Sequence, residues 1–177
     1  MFEMFLKNGD SVTIREAKKD DAKSIIDFYN IVGGETNFLS FGKNEFIRDL
    51  IEYQNFLEST SNEENSIILL ALKNNQIISI ASINSSQKER TKHVGTLGIV
   101  VKKDYWGLSL GKMLMEYLIK WATQNKISKK IQLTCNEDNE KAILLYKNLG
   151  FEVEGVIKED VFINGKYNNT VIMGLSL

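Results

Sequence analysis

One segment constrains this chain more than any other: Ile99-Val-Val-Lys-Lys-Asp-Tyr-Trp-Gly-Leu-Ser-Leu-Gly-Lys-Met-Leu-Met. Its apolar start reads as a strand. Behind the turn, Leu110, Met113, Leu114, Tyr117, Leu118 and Trp121 recur at helical spacing. Gly107 and Gly111 punctuate the turn between them. A strand that turns on glycines into a helix N-terminus is a place to hold a phosphate. The backbone can approach closely, the first helical N–H groups lack partners, and the helix dipole is positive there.

The spacing of the turn decides which phosphate loop it is not. A P-loop has four residues between its glycines and then Lys-Ser/Thr, whose hydroxyl holds magnesium. Here only Leu108, Ser109 and Leu110 separate the glycines, and Lys112 is followed by Met113. A dinucleotide-binding turn needs three glycines early in a βαβ unit. Neither condition is met.

The rest of the chain reads as a mixed α/β domain. A hairpin is expected over Phe2–Lys7 and Ser11–Glu16, with Asn8-Gly9 as a type I′ turn. A helix from about Asp20 carries Ala22, Ile25, Ile26, Tyr29 and Val32, and Gly33-Gly34 stop it. An aromatic loop, Glu35–Lys43, leads to a second helix expected from near Asn44. Strands follow at Ser66–Lys73 and Gln76–Ser85, joined by Asn74-Asn75, and at His93–Val101. Gly95 and Gly98 in the last of these suggest a bulge or a close backbone approach. After the 110s helix come a strand at Ile131–Cys135, a helix at Asp138–Leu149 closed by Gly150, and strands Phe151–Ile163 and Tyr167–Leu175 around Asn164-Gly165.

Composition narrows the function classes. The 177 residues fit one domain, 1–177, with 43% hydrophobic and 25% charged residues. A net charge of −1 gives no electrostatic footprint for nucleic acid or an anionic membrane. The longest unbroken apolar run, Ile67–Leu72, is too short to cross a bilayer. One cysteine and one histidine leave no internal disulfide and no ordinary zinc site, so no metal is expected. The N-terminus lacks the pattern of a signal peptide. The expected location is cytoplasmic. Self-association as a homodimer through a sheet edge stays open.

Tyr105-Trp-Gly-Leu-Ser-Leu-Gly-Lys resembles the acyl-CoA pyrophosphate loop of the GNAT superfamily of N-acetyltransferases, Arg/Gln-x-x-Gly-x-Gly/Ala. Trp106 takes the Arg/Gln place, Ser109 the middle glycine and Gly111 the last. The departures are an aromatic residue for a polar one and a serine for a glycine. Ser109 also reads as the N-cap of the helix, its hydroxyl accepting a backbone N–H, at some cost if its φ is positive. A second stretch, Asn136-Glu-Asp-Asn-Glu-Lys-Ala-Ile-Leu-Leu-Tyr-Lys-Asn-Leu-Gly-Phe, resembles the family's other signature. Asn139 and Tyr146 have its spacing, and Gly150-Phe151 close it. The resemblance spans essentially the whole chain.

It implies a GNAT fold of the α/β (α+β) class: a mixed, mostly antiparallel twisted sheet of about seven strands with about four helices. It also implies acetyl transfer from acetyl-CoA to a primary amine by direct transfer. The acceptor would be a small amine, an amino-acid-like molecule or a peptide N-terminus. Trp106, Gly107, Leu108, Ser109, Leu110, Gly111 and Lys112 would hold the pyrophosphate. Ile99, Val100 and Val101 would pair with the pantetheine arm.

Asn139 would bind cofactor, or simply cap its helix. Tyr146 matches the general acid for the leaving thiolate, a phenol near pKa ~10 against a thiol near ~8.5. Its apolar face, shared with Ala142, Leu145 and Leu149, also suits a core tyrosine.

The base is missing: where some relatives acting on protein N-termini have a glutamate, this chain has Thr134. Glu35 is the candidate for substrate binding or for proton removal through water. It could equally be a solvated loop carboxylate. His93 reads as a strand-end residue and Cys135 as a buried small hydrophobe. The alternative function is a regulatory module that binds acyl-CoA with weak or no catalysis, motivated by Trp106, Ser109 and Thr134.

Overall fold

The computed structural model describes all 177 residues. The chain forms β1 (Phe2–Phe5), β2 (Ser11–Glu16), α1 (Ala22–Val32), α2 (Leu50–Ser61), β3 (Ile67–Lys73), β4 (Gln76–Ser85) and β5 (Val94–Val101). It continues with α3 (Leu110–Gln124), β6 (Lys130–Asn136), α4 (Glu140–Asn148), β7 (Glu152–Ile163) and β8 (Lys166–Ser176). One sheet holds all the strands in the order β1-β2-β3-β4-β5-β6-β8-β7. Only the β5–β6 pair is parallel. The sheet has eight strands, as many as the residue pattern marks and one more than the about seven that the resemblance implies; four-residue β1 pairs along its whole length with β2.

Both faces of the sheet are packed around β3 and β4, which explains why those strands read as nearly unbroken apolar runs. On one face, Leu110, Leu114, Leu118 and Ala122 of α3 bury against Leu69, Ile83, Leu97 and Ile131. On the other, Ile25, Phe28 and Val32 of α1 and Leu57 of α2 cover Ile68, Leu70 and Ile80. Neither α1 nor α2 extends the second cluster beyond β5, so β6, β8 and β7 carry no helix on that face. Asn136, Asn168 and Thr170 are the buried polar residues of this uncovered region.

Two turns follow the sequence reading and one does not. Asn74-Asn75 (φ 51° and 61°) and Asn164-Gly165 (φ 52° and 81°) are left-handed at both positions, as two-residue hairpins require. In the first hairpin only Gly9 is left-handed. Its N–H donates to the Leu6 carbonyl, and the Leu6 N–H donates to that of Asp10. This is a type I turn closed by a bulged glycine, not type I′. The Asn8 side chain, which accepts from the Asp10 N–H and donates to its carboxylate, favours it.

The second helix starts at Leu50, not near Asn44. Asn44 is left-handed (φ 61°), and the Glu45 carboxylate accepts the Gly42 N–H at 2.6 Å. The Asn30 side chain occupies both the N–H and the C=O of Phe46, at 3.0 and 3.2 Å. These bonds hold residues 42–46 out of a helix, and Phe46 joins Tyr29, Phe41 and Tyr53 in an aromatic cluster. Asp49 then caps α2, accepting the Glu52 N–H at 2.9 Å.

Gly95 marks a close approach rather than a bulge, since β4 and β5 pair without a break from Ser79–Val101 to Ser85–Gly95. A Cβ at Gly95 would lie 2.5 Å from Ile83 Cγ2. Gly95→Ala is therefore expected to destabilise the fold by about 1–3 kcal/mol through overpacking, read as a lower urea midpoint at unchanged slope.

Candidate active site

β5 and β6 part company. They pair only where Val94, Gly95 and Thr96 meet Lys130, Ile131 and Gln132. β4 stays paired to β5 as far as Val101, and β8 stays paired to β6 as far as Asn136. A cleft of about 1140 Å³ opens between the diverging strands.

Strand alternation tells which backbone groups face it. The Lys102 N–H bonds the Ile78 carbonyl on the β4 side, and the His93 carbonyl bonds Lys130 on the β6 side. Odd-numbered residues of β5 thus aim their backbone groups at the cleft. The Val101 carbonyl is already taken, by the Trp106 indole N–H at 2.7 Å. The Ile99 N–H and C=O and the Val101 N–H face the opening. Val100 points its backbone to β4, where its carbonyl accepts the Ser79 hydroxyl at 2.8 Å.

The turn above the strand is held from three directions. Glu35 accepts the Lys103 N–H at 2.8 Å and caps the short 3₁₀ turn Lys103–Tyr105. The Lys7 N–H of the first hairpin donates to the Leu108 carbonyl at 3.2 Å. The Trp106 indole closes the third side. Gly107 (φ 76°) needs its glycine for backbone shape alone, because a Cβ there would meet nothing within 4 Å.

Ser109 occupies the N-cap position of α3, but its hydroxyl caps nothing. Its backbone is left-handed (φ 68°), and this turns the side chain away from the first turn. The N–H groups of Leu110, Gly111 and Lys112 have no intrahelical acceptor and receive no side-chain cap. A left-handed residue followed by a helical one forms a backbone nest for an anion, reinforced by the helix dipole. The groups present fit a phosphate, and the open strand edge below fits an extended amide-bearing chain.

The other wall comes from β6 and α4. Asn139 caps α4, its Oδ1 accepting the Ala142 N–H at 3.3 Å, and it also lines the cleft. Tyr146 is 8% exposed, packs on Phe151 and also lines the cleft. Burial pushes its phenol well above the ordinary value, and the neighbouring Cys135 adds to the rise. The Cys135 thiol is itself pushed up to about 11 by burial. Thr134 lines the cleft, exposed.

Glu35 lines a second, adjoining cavity of about 540 Å³, bounded by the α1–α2 loop and the β7–β8 hairpin. Trp106, Phe38, Asn136 and Asp138 line both spaces. His93 precedes β5 at the opposite end of the strand, its carbonyl bonded to Lys129 and Lys130. No cluster of three or more His, Cys, Asp or Glu side chains could hold a metal. No helix is long and apolar enough to cross a membrane. Sequence reasoning missed Lys7 and Asn168, which reach these spaces from distant parts of the chain and belong to no local motif, and it gave no role to Asn136 at the head of the second motif stretch.

The sequence model of the acetyltransferase (GNAT) family matches residues 34–151, which hold the β5–β6 cleft, the loop above it and all of α4. The chain belongs to the GNAT family. An acetyltransferase of this family from Streptococcus pneumoniae has the same fold at a TM-score of 0.88, with 35% identity over 94% of this chain and 99% of that one. A putative acetyltransferase from Salmonella typhimurium, solved with its cofactor acetyl-CoA, shares the fold at a TM-score of 0.79 and 21% identity, covering 95% of each chain.

Among curated proteins, an L-amino acid N-acetyltransferase of Escherichia coli is 30% identical over 105 residues, 59% of this chain and 65% of that protein. A spermidine N(1)-acetyltransferase of the same organism is 33% identical over 75 residues, 42% of this chain and 40% of that one. This GNAT chain thus spans less than two thirds of the curated relatives it matches.

The loop of this GNAT chain carries a testable strain. Left-handed backbone costs a non-glycine residue about 1–2 kcal/mol, which glycine's extra freedom in the unfolded chain partly offsets. Ser109→Gly is expected to raise the thermal midpoint, by up to about 1 kcal/mol in stability. Trp106→Phe, which keeps the ring and loses the bond to Val101, is expected to lower stability by about 0.5–1.5 kcal/mol in the same denaturation experiment.

Proposed function

We propose that this chain is an N-acetyltransferase that moves an acetyl group from acetyl-CoA to a primary amine by direct transfer in a ternary complex. The observation that carries the reading is the convergence on one cleft of an anion nest, an unpaired strand edge and a buried tyrosine. The acceptor is a small amine, an amino-acid-like molecule or a peptide N-terminus. The names of the curated relatives, one acting on amino acids and one on spermidine, support an amine acceptor.

Each part of the cleft has a task in that reaction. The N–H groups of Leu110, Gly111 and Lys112 would hold the pyrophosphate, with Gly107 and Ser109 shaping the turn and Trp106 and Leu108 anchoring it. The Ile99 and Val101 backbone would hold the amide-bearing arm, with Val100 fixing the strand to β4. Asn139 would bond the same arm through the side-chain N–H₂ that its capping role leaves free. Bound acetyl-CoA supplies an activated acyl carbonyl and a thiolate leaving group.

The Ile99 N–H, which faces the cleft, would stabilise negative charge developing on the acyl carbonyl oxygen. Tyr146 holds a proton on its hydroxyl for the departing sulfur. Its raised pKa keeps that proton in place through the neutral and alkaline range. Cys135 stays a neutral thiol up to about 11, which favours direct transfer over an acylated enzyme.

No carboxylate stands at Thr134, and Glu35 is the candidate for taking the amine's proton through water. The second reading, a module that binds acyl-CoA without turnover, draws on that missing base and on Trp106 and Ser109.

Replacing Tyr146 separates the two readings. Tyr146→Phe is expected to lower kcat by 10²-fold or more while acetyl-CoA binds as before, measured by thiol release and calorimetry. Full activity in this variant removes the acid role. Tight acetyl-CoA binding by the wild type, with no thiol release on a broad panel of amines and peptides, favours the module. A further expectation concerns pH. Because the acid is a phenol with a raised pKa and the acceptor must be deprotonated, kcat should climb with pH and show no descending limb below about pH 10.

A further inference from the structure

The cavity beside the cleft is lined by two carboxylates, several amides, two aromatic rings and one lysine. Around the space between the α1–α2 loop and the β7–β8 hairpin stand Glu35, Asp138 and Asn168, with Phe38 and Trp106 as aromatic walls. Its one cation, Lys166, is committed to Asp138 at 3.1 Å.

Glu35 spends one carboxylate oxygen on the Lys103 N–H. Asn168 is 5% exposed, and its Oδ1 is buried with no hydrogen-bond partner. Alternation along β8 puts its side chain on the same sheet face as Thr170, which lines the adjoining cleft. A buried carbonyl oxygen without a donor marks a place where a donor is missing.

Spare carboxylate oxygens, an orphaned amide carbonyl and two aromatic walls all favour one kind of guest, a cation rich in N–H. A carboxylate would meet the unpaired charge of Glu35 and an Asp138 already paired with Lys166, and no unpaired cation. The other lysines near the cleft, Lys7, Lys112 and Lys141, line the main cleft and are absent from this cavity.

We infer that this cavity seats a second ammonium group of the acceptor, so that the acceptor is a di- or polyamine rather than an amino acid. One amine would enter the main cleft toward Tyr146, while the charged far end rests among Glu35, Asp138, Asn168, Phe38 and Trp106. The shared lining of the two spaces at Phe38, Trp106, Asn136 and Asp138 makes them continuous for such a molecule. The inference rests on the acetyltransferase reading for the direction of the first amine, but its test does not need turnover.

The test is calorimetric titration of the protein saturated with CoA, which cannot react. The probes are diaminopentane, pentylamine and aminopentanoate, alike in chain length and different only at the far end. Diaminopentane is expected to bind tenfold or more tightly than pentylamine, and aminopentanoate more weakly than either.

Asn168→Leu is expected to shrink the preference for the diamine to threefold or less. Glu35→Gln keeps an oxygen for the Lys103 N–H, removes the charge, and is expected to do the same. It keeps the test decisive if the buried Asn168 variant fails to fold. Equal binding of diamine and monoamine, tighter binding of the aminocarboxylate, or no binding of any of the three overturns the inference. Thiol release on a broad amine panel judges the acetyltransferase reading separately, since acetylation of monoamines or amino acids without a diamine preference upholds that reading and overturns this one.

Discussion

A strand that is hydrogen-bonded on one side only is the constraint around which this protein is arranged. Beyond Thr96, β5 keeps its ladder with β4 and loses the one with β6. Backbone N–H and C=O groups left in a protein interior are costly, so a strand edge opened inside a sheet must find partners in side chains, water or ligand. Here one of those groups finds a side chain, since the Trp106 indole takes the Val101 carbonyl. The remaining groups around Ile99 line a cleft wide enough for an extended ligand.

The phosphate end depends on the same geometry. α3 starts where it does because β5 ends beside it and the turn between them is tied on three sides. The ties come from far along the chain: the Lys7 backbone from the first hairpin, the Glu35 carboxylate from the α1–α2 loop and the indole from within. With the turn held by its neighbours, the first N–H groups of α3 need no side-chain cap. Ser109 accepts a left-handed backbone and leaves them free. A glycine would do this at less cost, so the serine is a local strain that the surrounding bonds sustain.

Much of this was legible in residues. The helical spacing from Leu110 to Trp121 was plain because α3 buries one continuous stripe against the sheet. Asn74-Asn75 and Asn164-Gly165 were plain because a two-residue hairpin needs two left-handed positions, and few residues tolerate them. The start of α2 was not, because two bonds from Asn30 decide the fate of Phe46, and nothing near Phe46 announces them. The capping hydroxyl expected of Ser109 failed for a similar reason. Residue type favours a cap, but the path of the chain from β5 sets the φ that rules it out.

Local sequence carries the order of elements, the two GNAT motifs with Asn139 and Tyr146 at their spacing, and the exclusion of triphosphate and dinucleotide loops. These are local properties, written in periodicity and in the few residues that turns and caps accept. The separation of β5 and β6 after three residue pairs, and the reach of Glu35 to the backbone of Lys103, come from the folded sheet. It alone brought Asn168, more than 130 residues from Glu35, to the same cavity. The physical reason is that register between distant strands and the aim of side chains across a cavity come from packing of the whole sheet. No short stretch of chain contains that information.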